Sequence, residues 1–137
     1  MSSDTTTTVA ELRQLVQAFV EERDWRQFHA PKNLSMSLAI EAAELMEHFQ
    51  WIDAPASRAL GGDPQKLSAV GEELADVICY ALALANELGI DVSTAMRAKM
   101  LKNALKYPVA EIRGRYGHAD PRAGSSPLSD LPPGVLE

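Results

Sequence analysis

At 137 residues the chain suits a single domain. It is 46% hydrophobic but only 6% aromatic, rich in Ala and Leu and without long runs of Val, Ile and Thr, which favours an all-α fold over a sheet. A net charge of −6 argues against a nucleic-acid polymer as partner. No secretory leader opens the chain and no apolar run reaches the roughly 18 residues of a membrane span, so the expectation is a soluble, cytoplasmic protein.

Residues 1–8, MSSDTTTT, read as a flexible start. Thr8 and Glu11 have the spacing of a capping box, and Val9, Leu12, Val16, Phe19 and Val20 form a helical stripe behind it, predicting a first helix to about Asp24. RDWRQFHAPKN reads as a loop broken by Pro31, with Asn33 or Ser35 able to cap a second helix from about Leu34 to Trp51. On that helix Leu34, Leu38, Leu45 and Phe49 share one sector. DAPASRALGGDPQ reads as a loop from its Pro and Gly content.

A third helix is expected from about Leu67 to Leu88, with Val70, Leu74, Val77, Ala81, Leu84 and Leu88 as its core stripe and Gly89 as its stop. Asp91 opens a fourth, lasting to about Lys106. The end of the chain, 111–137, carries scattered prolines and polar residues without periodicity and reads as a mostly disordered tail, leaving 9–110 as the domain. Cys79 is the only cysteine; its apolar surroundings suggest a buried, reduced thiol.

Four acids carry the chemistry. Glu41 and Glu44 sit three apart on the second helix, and Glu73 and Asp76 repeat that spacing on the third. Solvated acids are common on helices, but both pairs border the apolar stripe, and Leu45, His48, Val77 and Tyr80 occupy the positions where Lys or Arg would neutralise them. Four converging carboxylates repel unless a cation joins them, and an all-oxygen set suits a hard ion, Mg²⁺ or Mn²⁺. Cys79, His29, His48 and His118 are too scattered for zinc, and the absence of any Glu-x-x-His disfavours a di-iron bundle.

Residues 92–118 hold six basic side chains against Glu111 alone, and Lys99, Asn103 and Lys106 share one face of the fourth helix. Acids for Mg²⁺ beside a basic helix suggest phosphoanhydride chemistry, without the glycine loop of a P-loop enzyme. Trp25 and Trp51 flank the acidic helix and suit either core packing or base stacking.

With these residues placed, the chain resembles the MazG-like all-α nucleoside triphosphate pyrophosphohydrolases, and within them the dCTP pyrophosphatases. The signature stands as Glu41-Ala-Ala-Glu44 and Glu73-Leu-Ala-Asp76, supported by ERDWRQFHAPKNL, HFQW, EELADVICY and KMLKNALKYP. The resemblance implies a four-helix bundle-like fold whose core is completed by oligomerisation, as a homodimer or homotetramer. It implies Mg²⁺-dependent cleavage of a (deoxy)cytidine-type triphosphate to monophosphate and pyrophosphate. Glu41, Glu44, Glu73 and Asp76 would be the metal ligands and catalytic acids. Trp25, His29, Trp51, Tyr80, Lys99 and Asn103 would bind substrate. The rival reading is a non-catalytic helical module that binds Mg²⁺ or a partner.

Overall fold

The computed structural model describes residues 3–115, and within them every regular element is helical. They divide into two compact units at Ser93 and Thr94. Residues 3–7 close a turn, in which the Thr6 and Thr7 amides both donate to the Ser3 carbonyl. Helix α1 follows as Val9–Glu22. Its capping box forms as expected: the Thr8 hydroxyl accepts from the Glu11 amide, and the Glu11 carboxylate accepts from the Thr8 amide at 2.6 Å. The bonds that this carboxylate accepts from the Thr8 amide and the Thr8 hydroxyl hold the Glu11 carboxyl below its ordinary value.

A 3₁₀ turn, Trp25–Phe28, interrupts the predicted loop, entered through Asp24 at φ +52°. Helix α2 is Pro31–Glu47. It starts earlier than expected because Pro31 opens it instead of breaking the chain: at the first helical position proline has the right φ and its missing N–H is not needed. Neither Asn33 nor Ser35 caps this start. Asn33 donates from Nδ2 to the Phe28 carbonyl, tying the turn to the helix, and Ser35 bonds back to the Lys32 carbonyl. The helix also stops short, leaving Trp51 in the turn that follows.

The next segment is not simply a loop. Asp53 caps a short helix α3, Ala54–Ala59, followed by a 3₁₀ turn, Leu60–Gly62. Asp63 then accepts from the Gln65 and Lys66 amides and, with Pro64, opens α4, Pro64–Leu88. Gly89 ends it at φ +64°, and the Ile90 amide reaches back to the Ala85 carbonyl, closing the last turn as the sequence predicts. Helix α5 is Val92–Lys106, and Pro108 introduces a one-turn α6, Val109–Ile112, that no periodicity announced.

In the first unit α2 and α1 both pack on α4. The buried apolar residues are Val20, Leu34, Leu82, Ala83 and Ala85. Leu34 belongs to the stripe expected of its helix, but the buried residues of α4 are not the expected ones, and Leu74 and Leu88 are about half exposed. A single stripe assumes a single neighbour. With a helix on each of two sides, α4 spreads its burial over more of its circumference, and alanines let the helices approach closely. No helix of the described residues is long and apolar enough to cross a membrane.

Candidate active site

Helices α2 and α4 lie against one another along the stretches that carry the acids. The structure brings together Glu41, Glu73 and Asp76, with one carboxylate oxygen of each within 4.8 Å of the others. Glu41 and Glu73 are half-buried and Asp76 is exposed. Among the described residues, no Arg or Lys of the same unit pairs with them. Loss of hydration raises the Glu41 carboxyl above its ordinary value, and the negative charges of Glu44, Asp76 and Glu73 push it further the same way. Glu44 therefore acts on Glu41 electrostatically while standing outside the converging three.

Beside the acids lies a cavity of about 420 Å³, within the range of small-molecule sites. Leu15, Val16, Phe19 and Val20 of α1 form one wall, and Asp76, Cys79, Tyr80 and Ala83 of α4 form the other. Trp25 and His29 close it from the 3₁₀ turn and the residue after it. The Trp25 ring meets Phe19 edge to face at 5.8 Å between centroids, and the Arg23 guanidinium covers Phe19 at 3.7 Å from its ring centre. Asp76 belongs both to the acid group and to the cavity wall.

Three of the six expected substrate-binding residues, Trp25, His29 and Tyr80, line this cavity. Trp51 does not; it lies in the turn after α2, 88% exposed, which removes core packing of this chain as its explanation. Lys99 and Asn103 occupy successive turns of α5, in the second unit. The Cys79 expectation needs correction: the thiol is exposed to the cavity, because the wall of an open apolar cavity has the same composition as a core. Partial burial and the neighbouring Asp76 charge push that thiol up, so it stays protonated near neutral pH. The α1 wall was not foreseen as part of the site; Phe19 and Val16 read as an ordinary core stripe, and only the ring contact with Trp25 separates them from one.

A hard-oxygen acid group beside an apolar cavity, carried on packed helices, is the arrangement of an all-α nucleotide hydrolase. Residues 36–117 match the MazG-like family. The dCTP pyrophosphatase 1 of Rattus norvegicus is 37% identical over 129 residues, covering 94% of this chain and 71% of that protein. The Homo sapiens dCTP pyrophosphatase 1 is 36% identical over the same shares. A crystal structure of a pyrophosphatase from Archaeoglobus fulgidus superposes with a TM-score of 0.65 at 38% identity, covering 72% of this chain and 91% of that one. The chain belongs to the MazG-like family, and it is a nucleoside triphosphate pyrophosphohydrolase.

Proposed function

We propose that this enzyme converts a deoxycytidine-type triphosphate to the monophosphate and pyrophosphate, as a cytoplasmic guardian of the nucleotide pool. One observation carries the reading. Asp76 joins the acid group to the cavity, so a single ligand can place its phosphates at the acids and its base between Trp25, His29 and Tyr80. The names of the curated relatives support cytosine as the base.

The donor set fits a hard divalent cation, Mg²⁺ or Mn²⁺: three carboxylate oxygens within 4.8 Å, one of them desolvated and crowded by like charge. Glu41, Glu73 and Asp76 would hold it, with Glu44 as the fourth acid of the set. A bound cation supplies positive charge against the triphosphate and Lewis acidity. A carboxylate left free of the cation would accept the proton of the attacking water, a role open to Glu44, which stands outside the converging three. The apolar walls exclude water from the base end, and Trp25 and Tyr80 line the space where a base would stand. The net charge of −6 argues against a nucleic-acid polymer as substrate.

A panel of nucleoside triphosphates with Mg²⁺, scored for pyrophosphate against phosphate, tests the reaction. We expect pyrophosphate and monophosphate, with deoxycytidine triphosphate or a cytosine-modified form turned over fastest. Stepwise release of single phosphates would overturn the cleavage position.

Assembly as a homodimer or homotetramer belongs to the same reading. The few buried side chains contrast with Leu15, Phe28, Met36, Ile40 and Met46, all more than half exposed. Light scattering at micromolar concentration should return at least twice the 14.9 kDa chain mass; a monomer would refute it.

A further inference from the structure

The α1 wall of the cavity is held by little apolar contact. Val20 is the one buried side chain on that helix, while Leu15 is largely and Phe19 about half exposed. Such a contact resists separation but does not set where one helix stands along the other. The polar contacts do. Arg13 donates from Nε to the Asn86 side-chain oxygen at 2.8 Å and from Nη2 toward the Ala85 carbonyl at 3.5 Å. Asn86 returns a bond from Nδ2 to the Arg13 carbonyl at 3.1 Å. The exchange is reciprocal, partly buried and joins residues 73 apart in sequence.

Its position gives it consequence. Arg13 reaches the last turn of α4, where the helix end is negative, and shares the Ala85 carbonyl with the Ile90 amide. One edge of the rigid guanidinium spans two acceptors, where a lysine offers only a single nitrogen on a flexible stem. Along α1, Val16 and Val20 follow Arg13 on the same face; along α4, Ala83 and Cys79 precede Asn86 on the same face. All four line the cavity. The next segment is tied to the same end of α4 by Arg26, whose Nε lies 3.5 Å from a Glu87 carboxylate oxygen. That segment carries Trp25.

We infer that Arg13 and Asn86 are positioning residues for substrate: their reciprocal hydrogen bonds set the register of α1 on α4 and so the width of the cavity that takes the base. The inference rests on the proposed use of that cavity. The acids stand on α2 and α4, whereas the clamp joins α1 to α4. Losing the clamp therefore loosens binding and leaves the chemical step alone.

Asn86→Leu keeps the branched shape at a larger volume and removes both Asn86 bonds. With deoxycytidine triphosphate and Mg²⁺ we expect KM to rise about tenfold, the order of cost of a small misplacement, while kcat stays within about twofold. Asn86→Asp keeps the acceptor for Arg13 and should restore most of the parental KM; Arg13→Lys should not. A second reading needs no substrate. In a Trp51→Phe background Trp25 is the sole tryptophan, and its quenching by acrylamide should rise in Asn86→Leu and return in Asn86→Asp. Unchanged KM and unchanged quenching in Asn86→Leu would overturn the clamp, as would a fall in kcat at constant KM or an Asn86→Asp variant no better than Asn86→Leu. If the parental enzyme leaves deoxycytidine triphosphate intact, the substrate assignment fails, while the quenching series still decides the clamp.

Discussion

Glu41→Gln should abolish most of the activity while leaving the metal-free protein at least as stable as the parent. Glutamine keeps the shape of the side chain but gives a hard cation a weaker, uncharged ligand. Loss of outer-shell partners already costs metal sites about 10- to 100-fold, so loss of a direct ligand should cost more than about 100-fold in kcat/KM. The stability half follows from the raised Glu41 carboxyl. Above the unfolded-state value the folded protein holds this proton more tightly than the unfolded chain does. Its stability therefore falls as pH rises from the unfolded-state value through the raised one, and the penalty is fully present above the raised value. Glutamine removes it. Calorimetry with and without Mg²⁺, beside one rate assay, checks both halves. The parent should gain melting temperature on adding Mg²⁺, since the ion binds the folded state, and the variant should gain much less. Near-parental activity with no Mg²⁺-dependent stabilisation would return the acids to an ordinary solvated face.

If Trp51, which lies outside the cavity of its own chain, reaches the base of a second copy in the proposed assembly, Trp51→Ala should raise KM by about ten- to a hundredfold, the loss of roughly 1–3 kcal/mol of base stacking. The melting temperature should hold, because a side chain 88% exposed contributes little to the fold of its own chain. Steady-state kinetics and a thermal scan on one preparation separate the outcomes. An unchanged KM with a lowered, concentration-dependent melting temperature would place Trp51 at a contact between copies instead.

Much of this protein was decided locally and could be read without coordinates. The Thr8–Glu11 box, the Gly89 stop and the span of α5 depend on bonds within a few residues, so their signals lie side by side in the chain. The spacing of Glu41 and Glu44, and of Glu73 and Asp76, sets each pair on one helical face for the same reason. Prolines misled where their position mattered more than their presence: Pro31 and Pro64 open helices, and the segment around Pro55 coils into one.

What stands opposite what was a tertiary decision. Periodicity could not show that Glu41, Glu73 and Asp76 converge while Glu44 stands apart, because that depends on the rotation of α2 against α4. It could not show that Val16 and Phe19 wall a cavity, or that Cys79 opens into it, because apolar residues look alike whether they fill space or enclose it. Nor could it pair Arg13 with Asn86 across 73 residues. A helix determines which residues share its face through bonds of its own; only packing determines what that face meets.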